Sequence, residues 1–306
     1  MRRLPAAVAA LGLVSVALVG CSSVQTSTCD RQTVPGNLAN LISVSGEGES
    51  VPDVSVPTPF TSDGLRYADF VTGEGTQVVD ANQLVDIGIT LVDGETGRTL
   101  VTQGYDGEAA VGTVALWDSS VPGLADALLC AGEGSRIVVS FSPEQLADAV
   151  PVAKAGGGSV VAVVDLQKVY LSAANGADQF NESHGLPSVV RDPAGRPGIT
   201  IPDAAAPTEP VVQVLKKGEG PALAPGDVAR LNFLSVDWVT ERVSQTTWGD
   251  SPQPLPITEG EDVIVNALIG QPVGSQLMII VPNGEGAEAG ADVYVIDILG
   301  VDSPAG

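Results

Sequence analysis

Residues 267–277 read ALIGQPVGSQL, and residues 127–137 read ALLCAGEGSRI, 140 positions earlier in the same chain. Both segments keep an Ala-Leu pair, then a Gly-Ser pair and a final apolar residue at matching positions. Each pattern is typical of a short apolar helix that ends in a glycine-containing turn and leads into a strand. The chain is therefore predicted to contain an internal repeat.

Further matches extend the repeat in the same order along the chain. Residues 70–75 resemble residues 215–220. Residues 164–166 recur as residues 296–298, only 132 positions later. The smaller spacing means that the second copy is shorter before its last strand, where the first copy carries a helical pattern at 143–149. Two ordered copies whose gap falls in a loop predict tandem domains of one fold.

Strand-like patterns dominate the chain, and helices are scarce. Runs of Val and Ile broken by Gly, Pro and Asp predict strands at 42–46, 51–56, 84–92, 98–101, 137–141 and 159–169. Short helices are predicted at 122–131 and 143–149. The fold class is therefore predicted to be α+β and mostly β.

The domain limits follow from changes in composition. We expect a first domain at 43–171 and a second at 210–302. Residues 172–209 are rich in Gly, Pro and Asp, which predicts a linker, part of which packs in extended form. Residues 22–42 are polar and rich in Ser and Thr, which predicts a tether before the first domain.

The first 21 residues have the layout of a bacterial lipoprotein signal peptide. Arg2 and Arg3 form a basic start, and the apolar run that follows ends in the lipobox-like sequence LVGC at Cys21. The run is too short for a convincing spanning helix. We expect export, cleavage before Cys21 and anchoring through acyl chains on that cysteine, on the outer side of the cell membrane. An ordinary secretory signal is the alternative.

Two further cysteines remain if Cys21 carries lipid. In an oxidising compartment Cys29 and Cys130 predict one disulfide, and two free thiols are the alternative. The sequence contains no Cys-x-x-Cys motif, so neither a zinc site nor a thioredoxin-type centre is indicated.

The charge of the chain restricts its partners. The formal net charge is −23 at pH 7, and removal of Arg2 and Arg3 makes the mature form more acidic. Such a surface repels nucleic-acid phosphates and favours cationic or neutral partners. A solvated acidic surface without a specific partner is the preferred interpretation of this composition.

Five segments of the second copy form an ordered set with a specific resemblance. They are GEGP at 218–221, APGDV at 224–228, LNFLSVDW at 231–238, ALIGQPVGS at 267–275 and VYVIDIL at 293–299. Together they resemble the FKBP-type peptidyl-prolyl cis-trans isomerases. The first copy is similar to this family more weakly, and its best match is VPGLADAL at 121–128.

The resemblance implies a curved antiparallel sheet around one short helix in each domain, with an apolar pocket between sheet and helix. In the second domain it implies pocket walls at Phe233, Ile264 and Tyr294, and substrate contacts at Trp248, Ser244 and Gln245. Ile264 stands where the family has a tryptophan, and Ser244-Gln245 stand where it has Phe-Asp. In the first domain Leu124 takes the tryptophan position, so that domain is expected to be a scaffold.

The chemistry that the resemblance implies needs no reactive group. Rotation about an X-Pro bond breaks amide resonance against a barrier of about 18–20 kcal/mol, and a dry apolar pocket favours the less polar twisted amide. No cofactor or metal is expected, and the single histidine, His184, lies in the predicted linker. The sequence thus predicts an isomerase that assists the folding of exported proteins by acting on their proline-containing or unfolded segments. The alternatives are a catalytically inactive binding or chaperone lipoprotein and a structural envelope protein.

Overall fold

The computed structural model describes Cys29, Arg31 and residues 38–146, 158–181, 184–284 and 290–302. The predicted signal peptide with Cys21, and most of the predicted tether, lie outside the described residues. Within these ranges the chain forms seventeen strands and five short helices, so the prediction of a mostly β protein is confirmed. The longest of these helices has seven residues, and none is long and apolar enough to cross a membrane.

The five helices are α1 (Leu38–Leu41), α2 (Val114–Ser120), α3 (Leu124–Leu128), α4 (Pro143–Leu146) and α5 (Val263–Leu268). The strands of the first half are β1 (Ser43–Ser45), β2 (Asp53–Ser55), β3 (Arg66–Val71), β4 (Leu84–Asp93), β5 (Thr99–Gln103), β6 (Val111–Thr113), β7 (Arg136–Phe141) and β8 (Val160–Val169). Those of the second half are β9 (Ala177–Asp178), β10 (Ser188–Arg191), β11 (Pro197–Thr200), β12 (Val211–Lys217), β13 (Val228–Asp237), β14 (Val243–Thr246), β15 (Gln253–Pro256), β16 (Gln276–Asn283) and β17 (Gly290–Val301).

Two large antiparallel sheets have the same strand order. The N-terminal sheet runs β3-β7-β8-β4-β5, and β6 also pairs with β4. The C-terminal sheet runs β12-β16-β17-β13-β14, with β15 also on β13 and the short β9 added at the β12 edge. The pairing registers correspond as well, since Ile89 pairs with Val164 as Phe233 pairs with Ile296. Positions in the two sheets can therefore be compared directly.

Each sheet has a helix face and an outer face, and each face carries its own core. On the helix faces, α3 packs on the N-terminal sheet through Leu124 and Leu128, and α5 packs on the C-terminal sheet through Val265 and Leu268. The outer faces are covered by the chain that precedes each sheet. Both faces of these sheets are covered and therefore apolar. Because successive side chains of a strand point to opposite faces, this explains the continuous Val and Ile runs.

The covering segments include elements that the sequence did not predict. Residues from the predicted linker 172–209 form β9 and the β10–β11 hairpin, whose Val189 and Ile199 pack on the outer face of the C-terminal sheet. The helix α2 was also not predicted, although Thr113 caps it by accepting a hydrogen bond from the backbone N–H of Leu116 at 3.1 Å. Both segments are short and lack a strong period, and tertiary packing stabilises them.

The two sheets meet at the ends of β8 and β17. The hydroxyl of Tyr170 donates to Asp302 at 2.8 Å, and the guanidinium of Arg230 donates to both oxygens of the same carboxylate. The backbone N–H of Leu171 donates to the carbonyl of Leu299 at 3.0 Å. Tyr170 and Leu299 are also buried in one apolar cluster, so the contact combines polar and apolar interactions.

The N-terminal segment is fastened to the C-terminal end of α3. Cys29 and Cys130 form a disulfide, with Cα atoms 5.2 Å apart. Arg31 donates to the backbone carbonyls of Ala127 and Leu129, and its guanidinium also pairs with Asp69 at 2.6 Å. Positive charge at the last carbonyls of a helix is favourable, so the Arg31 contacts reinforce the attachment that the disulfide provides.

Replacement of Cys29 and Cys130 by serine is expected to lower the free energy of unfolding by about 2–4 kcal/mol. The disulfide closes a loop across a sequence separation of 101, which restricts the unfolded chain. Urea denaturation followed by circular dichroism measures the change. A reductant should weaken the parent protein and leave the double variant unaffected, whereas equal stability of the two proteins would contradict a structural role.

Asp297 is expected to make the protein more stable at mildly acidic pH. Burial raises the pKa of this carboxyl to about 6 from the ordinary 3.8. Because the folded state then binds the proton more tightly than the unfolded chain, stability falls as the pH rises through 6. Between pH 5 and pH 7.5 the contribution is about 1 kcal/mol. Denaturation at both pH values should show this difference in the parent protein and lose it in Asp297→Asn; an identical pH dependence in both would refute the assignment.

Candidate functional site

The helix face of the C-terminal sheet changes from closed to open along its strands. Alternate residues of β17 lie on this face, and Ile298 and Ile296 are buried whereas Tyr294 and Asp292 are half-buried. On β13, Phe233 lies opposite Ile296, and it is half-buried as well. The end of the face at Tyr294 is therefore accessible to a ligand, and the other end is core.

Five half-buried apolar side chains form this open end, which we call the apolar patch. They come from β13, β16, β17 and the first turn of α5, and all pack against the buried core beneath: Phe233, Val263, Ile264, Val281 and Tyr294. The register supports their proximity, because Tyr294 pairs with Ile279 and Val281 with the next residue on the same face, Asp292. The patch thus joins two aromatic rings and three aliphatic side chains on one surface.

The start of α5 places Val263 and Ile264 on the patch. Asp262 caps the helix, and its Oδ1 accepts the backbone N–H groups of Ile264 at 2.8 Å and Val265 at 2.9 Å. An aspartate at this position fixes the first turn of a helix. Val265 and Leu268 then point into the core, while the two residues before Val265 remain half-buried.

The structure brings together the three predicted pocket walls. Phe233, Ile264 and Tyr294 all belong to the apolar patch. Gln245 is exposed on the edge strand β14, directly opposite Ser235, and Ser244 is exposed beside it at a register shift. Gln245 therefore borders the patch, and Ser244 offers a hydroxyl to solvent.

Trp248, the remaining predicted contact, follows β14. Thr247, just before it, is bound to β13 through the backbone of Phe233, which fixes the course of the chain. Trp248 is half-buried, and its Nε1 is buried without a hydrogen-bond partner among the described residues.

Electrostatics keep the Tyr294 hydroxyl protonated. Burial raises its pKa, and the carboxylates of Asp292 and Asp262 raise it further. The phenol is therefore neutral at physiological pH and can donate a hydrogen bond to a carbonyl oxygen. Asp292 is itself held at the edge of the patch by the side-chain amide of Asn283, which donates to its Oδ2 at 2.8 Å.

The N-terminal sheet provides an internal comparison. The residues that correspond to Phe233, Ile264, Val281 and Tyr294 are Ile89, Leu124, Phe141 and Ala162. All four are buried, with exposed fractions of 3% or less. The same face is thus closed in the N-terminal sheet and open in the C-terminal sheet.

The connection before the last strand explains part of this difference. Between β7 and β8 it has 18 residues (142–159), and its helix α4 places the fully buried Leu146 in the core of the helix face. Between β16 and β17 it has six residues (284–289). Among the described residues, Leu146 has no counterpart over the apolar patch.

Sequence reasoning missed Val263 and Val281 as parts of the patch and Asp262 and Asp292 as its charged border. The alternation of β16 and β17 could have found Val281 and Asp292, since Val281 lies two residues beyond Ile279 and Asp292 lies two residues before Tyr294.

A cavity of about 1000 Å³ lies elsewhere, between the two sheets. None of the six predicted site residues lines it. Four of its charged groups are already engaged, because Lys168 donates to the carbonyl of Val301, Lys216 pairs with Asp178, and Glu133 accepts the backbone N–H of Val169. The apolar patch is therefore the stronger candidate for the functional site.

No protein-family model matches the chain, and no curated protein matches it. Several solved structures are similar. The three FKBP domains of wheat FKBP73 align with 78% of this chain and 95% of theirs, at 12% identity and a TM-score of 0.33. FkpA from Escherichia coli aligns with 32% of this chain and 50% of its own, at 16% identity and a TM-score of 0.26. A putative peptidyl-prolyl cis-trans isomerase FKBP12 from Mycobacterium tuberculosis aligns with 31% of this chain and 86% of its own, at 18% identity and a TM-score of 0.27.

Proposed function

We propose that this chain is an exported lipoprotein, anchored through Cys21, with two FKBP-like domains at 43–171 and 210–302. The second domain acts as a peptidyl-prolyl cis-trans isomerase on proline-containing segments of exported polypeptides, and the first is its scaffold. The sequence repeat, the identical strand order of the two sheets and a short helix on the same face of each support the domain assignment.

The open apolar patch is the observation that carries the functional proposal. Four positions on the helix face of the N-terminal sheet are buried, whereas the four corresponding positions of the C-terminal sheet are half-buried and accessible. Two of these accessible positions carry aromatic side chains. Exposing apolar side chains on only one of two related sheets costs solvation free energy unless a ligand covers them. A site for an apolar ring accounts for this difference.

The proposed mechanism uses desolvation and one hydrogen bond. The prolyl ring packs among Phe233, Ile264 and Tyr294, which removes water from the X-Pro amide. A planar amide is charge-separated and loses more solvation than the twisted amide, so the patch favours the twisted state. The protonated Tyr294 hydroxyl donates to a substrate carbonyl and holds the segment in place. Each 1.4 kcal/mol of preference for the twisted state accelerates rotation about tenfold.

The second candidate function is a binding or chaperone module without catalysis. The observations in its favour are the aliphatic Ile264 in the patch and the exposed Ser244 and Gln245, which stand where the family resemblance implies larger or acidic groups. Such a patch holds apolar segments but grips the twisted amide less tightly.

Removal of both rings, as Phe233→Ala with Tyr294→Ala, is expected to lower kcat/KM for a proline-containing peptide at least tenfold. The two side chains form the aromatic part of the patch, and truncation removes the contacts that exclude water. A protease-coupled assay measures the rate above the uncatalysed reaction. The control is Phe180→Ala, which removes an aromatic side chain that is 96% exposed and distant in sequence from the patch.

The same two variants separate the candidate functions. Catalysis is refuted if the parent protein shows no rate above background. The binding module is supported if that protein still suppresses the aggregation of an unfolded client and the double variant does not. If the double variant keeps both activities while circular dichroism shows an intact fold, the patch is not the functional surface.

Replacement of Cys21 by alanine is expected to release the protein from the membrane fraction. Without the thiol no acyl chain can be attached, and anchoring by lipid depends on these chains. Cell fractionation followed by immunoblotting measures the distribution, with Ser23→Ala as the matched control. Retention of the Cys21 variant on the membrane would show that the anchor lies elsewhere.

A further inference from the structure

On the basis of the proposed function, we infer that the apolar patch selects proline-containing segments that carry lysine or arginine next to the proline. The chemistry that points to this substrate class is an unneutralised border of carboxylates around an apolar surface. The overall acidity of the chain says nothing about where such a border lies, and the fold places it at the patch.

Three aspartates form this acidic border: Asp237, Asp262 and Asp292. Asp262 directly precedes the patch residues Val263 and Ile264. Asp292 lies on the same face as Tyr294, two residues earlier on β17. Asp237 ends β13 directly opposite Asp292. The pairing of β13 with β17 thus places these two carboxylates at one edge of the sheet.

The cations that the structure describes form no ion pair with the border. None of the ion pairs among the described residues involves Asp237, Asp262 or Asp292. Polar groups orient two of them: Thr240 donates to Asp237, and Asn283 donates to Asp292. Both contacts leave the negative charge in place.

The surrounding sequence extends the same imbalance. From Val243 to Val301 the chain has eight Asp and Glu residues and no Lys, Arg or His. Arg242 lies just before this stretch, in the turn after β13. Arg230 is engaged with Asp302 at the opposite end of β13. The backbone carbonyl of Arg242 accepts the N–H of Asp237, so this cation lies at the Asp237 end of the border, whereas the stretch with Asp262 and Asp292 is uniformly acidic.

The N-terminal sheet again serves as the comparison. The positions that correspond to Asp292 and Asp262 are Val160 and Pro122, both uncharged. Only Asp237 has an acidic counterpart there, Asp93. The closed face thus lacks two of the three border carboxylates, so the border accompanies the open patch and is not a general feature of the repeat.

We expect a peptide with a cation before proline to be preferred about tenfold over one with an anion there, and we expect this preference to fall at high salt. A cation at the peptide residue before proline would lie near two or three carboxylates at a partly exposed site, where each pair contributes modestly. Screening by 0.5 M salt shortens the Debye length to about 4–5 Å and should remove most of the effect.

The test compares three forms of one peptide with Lys, Leu or Glu before proline. Values of kcat/KM come from a direct isomerisation assay without protease, and dissociation constants come from calorimetry, at 0.05 M and 0.5 M NaCl. The inference predicts a kcat/KM about tenfold higher, and a dissociation constant about tenfold lower, for the Lys form than for the Glu form at low salt. It predicts a ratio near one at high salt.

The variant Asp262→Asn with Asp292→Asn should bring the ratio of kcat/KM between the Lys and Glu peptides at low salt from about ten to near one. Asparagine also caps helices, so the first substitution removes charge and keeps the start of α5. The matched control is Asp203→Asn with Glu209→Gln, which removes two exposed charges before β12. That control should keep the tenfold preference.

The outcomes separate this inference from the proposed function. Equal kcat/KM or equal dissociation constants for the Lys and Glu forms overturn charge selection and leave the isomerase proposal standing. Binding that favours the Lys form without turnover supports charge selection and refutes catalysis. Failure of all three peptides to bind overturns both.

Discussion

One buried carboxylate in each sheet holds the structure together on its outer face. Asp165 in the N-terminal sheet pairs with Arg136 at 2.6 Å and accepts the hydroxyl of Tyr105, and Arg136 also donates to the backbone carbonyl of Gly46. At the corresponding position Asp297 accepts the side-chain amide of Gln276 and the backbone N–H of Ala174. A buried charge without such partners would be strongly destabilising. Each carboxylate therefore links its sheet to the segment of chain that precedes the sheet and covers its outer face.

The two halves differ on the helix face in the size of corresponding side chains. The outer faces of both sheets are covered by the chain's own segments. On the helix face, by contrast, Phe141 in one sheet corresponds to Val281 in the other, and Ala162 corresponds to Tyr294. The larger Phe141 together with Leu146 fills the first face, whereas the second face keeps its aromatic ring near the surface.

Much of this organisation could be predicted from the sequence, because it depends on local patterns. The strand β4 was predicted at 84–92 and β8 at 159–169, since long Val and Ile runs determine strands buried on both faces. The placement of Phe233 and Tyr294 on one surface followed from their match to ordered motifs. The hairpin β10–β11 and the helix α2 could not be predicted, because their stability comes from packing on a sheet that is distant in sequence. The acidic border was missed for the same reason: Asp237 and Asp292 become neighbours only when β13 pairs with β17.

The position of the charge, and not its total, gives the acidic composition a functional meaning. A net charge of −23 spread evenly over a surface would repel anions and favour solubility, without distinguishing one face from another. In the C-terminal sheet the strands that carry the half-buried Phe233 and Tyr294 also carry Asp237, at the end of β13, and Asp292, near the start of β17, so apolar contact and negative potential meet at one edge. Among the described residues no counterpart of Leu146 covers this edge, and the two properties are available together to a ligand. A surface that combines a ring-sized apolar area with an unpaired carboxylate border discriminates by charge as well as by shape, which neither sheet could do if its face were closed.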